Sequence, residues 1–137
     1  MKTNLRFVFD TNALISVALL ANSTNKLALQ KAEKIGKIFF SESTLLELSD
    51  VLARKKFDKY LTIEDRLDFV TRIKMKYDLA DVLTDFTDCT DPKDNKFLNL
   101  AFDIGASCII SGDKHLLQMH PFRNISILNA ADFLLHF

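Results

Sequence analysis

The sequence predicts an α/β fold in which a parallel sheet of about five strands lies between layers of helix. Two observations carry this. Short apolar runs alternate along the chain with longer stretches whose apolar residues recur at three- and four-residue intervals. The runs themselves are nearly continuous in apolar residues, as strands covered on both faces should be. Strands separated by helices imply right-handed crossovers and hence parallel pairing.

Leu5-Arg6-Phe7-Val8-Phe9 reads as the first strand, and Asp10-Thr11-Asn12 hands it over to a helix from Ala13 to about Leu20. Residues 22–25 form a loop and cap, Lys26 to Ile35 a second helix, and Gly36 its stop. Lys37 to Phe40 is a second strand. A helix opened by residues 41–44 runs through Arg54, with Leu45, Leu48 and Leu52 on one stripe. Thr62 with Asp65 resembles a capping box for a helix reaching about Lys76. A third strand is expected at residues 79–83. Asp91-Pro92 starts a helix with Phe97, Leu98, Ala101 and Phe102 as its apolar positions, ended by Gly105. Residues 108–110 form a fourth strand, 114–119 a short helix, and 125–128 a fifth strand. Asn129 caps a last helix on which Phe133, Leu134, Leu135 and Phe137 are expected in the core.

At 137 residues, 48% hydrophobic and 26% charged, with three Gly and two Pro, the chain suits a single domain over 1–137 and excludes a disordered or low-complexity segment. Cys89 and Cys108 form no CxxC pair, and the longest uncharged apolar stretch, Ala13 to Ala21, is about half of what spans a bilayer. Lys2 and Arg6 precede that stretch, but Asp10 and Asn12 break a signal-peptide pattern. A cytoplasmic protein with no membrane association is expected. Formal net charge is zero, so no bulk attraction to nucleic acid is announced. The charge is nonetheless divided. Residues 1–76 carry fourteen Lys/Arg against nine Asp/Glu, residues 77–137 four against nine, and every acid of the second part is Asp.

Asp10 follows the first strand, Asp113 follows the fourth after Ser111-Gly112, and Asp91 and Asp94 open the intervening helix three residues apart. In parallel α/β sheets the ligand crevice lies beyond the carboxyl ends of the strands, so Asp10 and Asp113 should project toward one rim. Glu47 sits at the border of its helix's buried face. Each acid also stands where helix capping or the helix dipole favours it. Capping does not explain why acids recur at one rim without matching cations. Clustered carboxylates repel unless a cation neutralises them, and oxygen-only ligation suits Mg²⁺ or Mn²⁺ rather than zinc. His115, His120 and His136 show no metal-ligand spacing. Such an ion points to phosphoryl chemistry, which needs neither the P-loop nor the GxSxG motif that this sequence lacks.

Four blocks carry a resemblance: Phe7-Val8-Phe9-Asp10-Thr11-Asn12, Leu45-Leu46-Glu47-Leu48, residues 91–98 and residues 109–117. In this order and spacing they resemble a PIN domain, and within that family the VapC-like toxin components of prokaryotic toxin–antitoxin systems. The resemblance implies a Rossmann-like three-layer α/β/α sandwich and a Mg²⁺/Mn²⁺-dependent endoribonuclease with a cognate antitoxin and a homodimeric state. It implies Asp10, Glu47, Asp94 and Asp113 as the catalytic, metal-holding acids, with Asp91 as an accessory acid or cap. Thr11, Asn12, Asn95 and Ser111 would orient the carboxylates. Thr90 departs from the Arg that often precedes Asp-Pro, and His115 from a further Asp after Gly-Asp-Lys.

RNA must also be held. Arg54, Lys55, Lys56 and Lys59, interleaved with Phe57 and Tyr60, could grip phosphates and stack a base, or could be a solvated helix end. Two other readings stand beside this one. A haloacid-dehalogenase-type phosphatase would use Asp10 as nucleophile but wants an Asp where Asn12 stands. A non-catalytic PIN-like binding module would keep the acids as caps only.

Overall fold

The computed structural model describes residues 4–137, so Lys2 lies outside the described residues. Five strands, β1 (Leu5–Phe9), β2 (Gly36–Phe40), β3 (Asp78–Leu79), β4 (Cys108–Ile110) and β5 (Ser126–Leu128), form one sheet in the order β3-β2-β1-β4-β5. Every pairing is parallel. Seven helices join them: α1 (Thr11–Leu19), α2 (Thr24–Ile35), α3 (Glu42–Leu52), α4 (Ile63–Lys76), α5 (Asn95–Ile104), α6 (Lys114–Leu117) and α7 (Ala130–His136). Single 3₁₀ turns at Lys55–Phe57 and Pro92–Asp94 complete the elements among the described residues.

The strands read as continuous apolar runs because each serves two cores. Phe7, Phe9, Cys108 and Ile110 point into a cluster with Leu14 of α1, Leu29 of α2, Leu48 of α3 and Phe133 of α7. Their neighbours Val8, Ile109 and Ile127 point the other way, onto Leu98 and Ala101 of α5 and Leu116 of α6. The result is the expected three-layer sandwich. Chain direction across the sheet reverses between β1 and β4, which places the crevice of a parallel sheet at the carboxyl ends of these two strands.

Three local expectations are corrected. The third strand ends at Leu79: Ala80 N still bonds to the Phe40 carbonyl of β2, but farther on the backbone bonds to side chains of α5, where Asp103 accepts from Leu83 N and Thr84 N, and Asn99 from Phe86 N. Phe102 is accordingly a surface ring, packed edge-on against Phe86 beneath the Arg123 guanidinium. The reciprocal capping box belongs to α3, where Ser41 and Thr44 exchange hydrogen bonds, whereas Thr62 only accepts from Asp65 N. On α7, Phe133 is buried but Leu135 is 81% exposed, since a seven-residue helix offers the sheet one face only.

Gly36 does stop α2 as its C-cap, in extended backbone, and what it supplies besides is closeness: a Cβ there would sit 2.4 Å from the Leu5 carbonyl oxygen. Gly105 does end α5 in the left-handed region at φ 65°. Among the described residues no helix is long and apolar enough to cross a membrane.

Candidate functional site

At the carboxyl end of β1, Asp10 adopts extended backbone, and its Oδ1 accepts the Ala13 N–H at 2.8 Å as the cap of α1. Its N–H bonds to the Ile110 carbonyl at 3.0 Å, fixing it beside β4. Ser111 follows β4, donates from its hydroxyl to Asp10 Oδ2 at 2.5 Å and accepts the Asp113 N–H at 2.9 Å. Asp113 in turn caps α6 through the His115 N–H. Asp91 caps the 3₁₀ turn that delivers Asp94. Capping and convergence are therefore properties of the same residues.

Asp91, Asp94 and Asp113 each offer a ligand atom within 4.8 Å of the others. Asp94 is 4% exposed, and its Oδ2 is the one buried side-chain oxygen among the described residues without a hydrogen-bond partner. Burial, then the close carboxyl and charge of Asp113, then the charges of Asp91 and Asp10, push the Asp94 carboxyl up to about 7. Burial likewise lifts Asp10 to about 6, against the lowering effect of Ser111 and the Ala13 N–H and with a further push from Asp113 and Glu47. Among the described residues neither Asp10, Asp94 nor Asp113 has a Lys or Arg partner, for the nearby lysines pair with Glu47 and Asp91. A hard divalent cation fits the site, since the donors are all carboxylate oxygens and one lacks any partner.

Asp10, Glu47, Asp94 and Asp113 line one open cleft of about 420 Å³ with Thr11, Asn12, Asp50, Arg54, Lys56, Lys93 and Lys96. Glu47 enters from α3 with both oxygens engaged, Oε2 by the Thr11 hydroxyl and Oε1 by Lys96 Nζ at 2.7 Å. Asn12 is exposed at the rim. Asn95, expected to orient a carboxylate, instead accepts the Cys89 N–H at 2.9 Å and ties the preceding loop to α5.

Of the basic segment, Arg54 and Lys56 line the cleft, whereas Lys55 and Lys59 are not among its walls. Phe57 is buried beneath Lys56 and cannot stack a base, while Tyr60 is exposed with Lys59 over its ring. Buried Arg66 holds this segment in place. Its guanidinium donates to the Leu52 carbonyl at 3.1 Å, to the Leu61 carbonyl at 2.7 and 3.1 Å, and to Asp58 at 2.8 Å. Sequence reasoning missed Lys93 and Lys96. The available signal was the alternation of acid and base in Asp91-Pro92-Lys93-Asp94-Asn95-Lys96. Thr90 and His115 hydrogen-bond to each other at 3.0 Å, and His120 Nδ1 accepts the Ile127 N–H.

A parallel α/β sandwich carrying a cleft of carboxylates, Asp10 and Asp94 buried among them, at the reversal of its sheet defines the class of protein. The PIN domain model matches residues 6–115, and the chain belongs to the PIN domain family. The uncharacterized protein MJ1680 of Methanocaldococcus jannaschii is 35% identical over 121 residues, which cover 86% of this chain and 77% of that protein. A chain of the VapBC2 crystal structure from Rickettsia felis, bound to a DNA fragment from their promoter, superposes with a TM-score of 0.64 at 12% identity. The match covers 91% of this chain and 98% of that one, a likeness of fold.

Proposed function

We propose that this protein is a Mg²⁺- or Mn²⁺-dependent endoribonuclease and the toxin of a toxin–antitoxin pair. One observation carries the reading: a buried carboxylate oxygen of Asp94 with no donor, set among the ligand atoms of two further aspartates. Asp10, Glu47, Asp94 and Asp113 would hold the ion, with Asp91 accessory. When bound, it supplies a water of lowered pKa and positive charge for the attacked phosphate. Ser111 and Thr11 orient Asp10 and Glu47 through their hydroxyls. Arg54 and Lys56, on the cleft wall, hold backbone phosphates.

The binding-module reading has its own support, since Asp10, Asp91 and Asp113 all cap helical turns. It leaves Asp94 unexplained, because Asp94 makes no cap hydrogen bond and is buried at an evident electrostatic cost. The antitoxin partner is supported by family membership together with the likeness to a chain of a VapBC2 structure. A homodimer and a cytoplasmic setting belong to the same proposal.

The test is internal cleavage of a single-stranded RNA in Mn²⁺. EDTA should abolish it, and Asp10→Asn or Asp94→Asn should reduce it by about 100-fold or more. His115→Ala and His120→Ala should stay near wild type. Cleavage that survives EDTA, or that needs a histidine and not the carboxylates, would overturn the reading.

A further inference from the structure

Lys96 is a cation placed inside the acid floor of the cleft rather than on its rim. Its ammonium lies 2.7 Å from Glu47 Oε1, and its side chain is 24% exposed, against 67% for Lys93, which stands 3.7 Å from Asp91. The backbone beneath it is fixed. Asn95 is tied to the Cys89 N–H, while Phe97 and Leu98 are buried against the sheet. What can move is the four-carbon stem, which carries a compact charge at its end.

The position of that charge is unfavourable to a second cation. A divalent ion drawn to Glu47 meets an ammonium already seated on the same carboxylate, and the two repel across a part-buried site of reduced dielectric. Glu47 would not be left unoriented if the lysine withdrew, because the Thr11 hydroxyl holds its other oxygen. With Asp10, Asp94 and Asp113 drawn to the ion, the anions left to a charge released from Glu47 are exposed Asp50 and the phosphodiester of an RNA bound in this cleft, whose wall also carries Arg54 and Lys56.

We propose that Lys96 is a phosphate-positioning residue parked on Glu47, which it leaves for a non-bridging oxygen of the RNA backbone when a divalent cation takes that carboxylate. The proposal rests on the endoribonuclease reading. No bond is made or broken in the exchange. One ion pair, Lys96 with Glu47, is replaced by another, Lys96 with phosphate, so the ion and the substrate assist each other's binding.

Lys96→Gln removes the charge and keeps a hydrogen-bond donor for Glu47, and Lys96→Arg keeps the charge. Lys37→Met, at the opposite end of β2, controls for general loss of positive charge. Three quantities are read on each variant: Mn²⁺ affinity by calorimetry, affinity for a single-stranded RNA oligonucleotide in EDTA, and kcat and KM for its cleavage in saturating Mn²⁺. Lys96→Gln should bind Mn²⁺ as tightly as wild type or more tightly, and should match Lys37→Met in RNA affinity without metal. It should lose on the order of 100-fold in kcat/KM with Mn²⁺ present, and Lys96→Arg should recover most of that loss. Weaker Mn²⁺ binding by Lys96→Gln would make the lysine a strut for Glu47 and overturn the proposal. So would a kcat/KM equal to that of Lys37→Met, or an RNA affinity in EDTA that falls as far as kcat/KM does. A wild-type protein that shows no Mn²⁺-dependent cleavage would instead remove the endoribonuclease reading, and this proposal with it.

Discussion

Ser111 Oγ donates to Asp10 Oδ2 over 2.5 Å, joining the ends of β4 and β1 across 101 residues of sequence. This hydroxyl is a buried donor that favours the ionised form of Asp10, the form a cation needs. Ser111→Ala should therefore raise the Asp10 carboxyl above its present value of about 6. Mn²⁺ affinity should fall several-fold at about pH 6 and much less at about pH 8.5, where Asp10 ionises regardless. Calorimetric titration at both pH values checks this; an equal loss at both would contradict it.

Asp10 and Asp94 are held at about 6 and about 7, above the ordinary aspartate value of about 3.9 expected of the unfolded chain. The folded state thus binds these protons more tightly. The stability they contribute is fully present below about pH 4 and is lost as pH rises through 6 to 7. In EDTA, the melting temperature of Asp94→Asn should fall less than that of wild type between about pH 5 and pH 8. Parallel curves would show that the buried acids carry no strain.

Arg66 is buried, and its guanidinium satisfies the carbonyls of Leu52 and Leu61 across the segment that carries Arg54 and Lys56. Arg66→Met should cost about 3 kcal/mol in urea unfolding, because the buried Leu52 carbonyl and the part-buried Leu61 carbonyl lose their donor. Arg66→Lys should restore little, since one ammonium lacks the planar fork that reaches both.

At Gly36 a methyl group would meet the Leu5 carbonyl oxygen at 2.4 Å and the Phe7 ring at 2.9 Å. The carbonyl is backbone and cannot step aside without disturbing the β1–β2 pairing. Gly36→Ala should destabilise by about 2–3 kcal/mol. Gly112→Ala, with nothing within 4 Å of its added Cβ, should be near neutral in the same melts.

The convergence of Asp10 and Asp113 is legible in the sequence because it follows from two local features, a strand end and the cap after it, in a sheet whose parallel sense the alternation of elements implies. The neighbours of Glu47 are not legible. They depend on how α3 leans toward α1 and α5, and no spacing in the sequence records the approach of Thr11 or Lys96. Residues 79–83 misled for a different reason: an extended segment reads the same whether its N–H groups face another strand or, as at Leu83 and Thr84, the carboxylate of Asp103. Asn95 misled because an amide beside an acid suggests help for that acid, whereas the nearer unsatisfied group was the Cys89 N–H.

Whether the buried acids form one cation site is decided by a Mn²⁺ titration of wild type beside Asp94→Asn. Wild type should bind saturably, with a melting temperature that rises on addition of Mn²⁺, and a folded Asp94→Asn protein should lose both. Wild-type protein that takes up no Mn²⁺ at millimolar concentration, or Asp94→Asn binding it with undiminished affinity, would contradict a shared site.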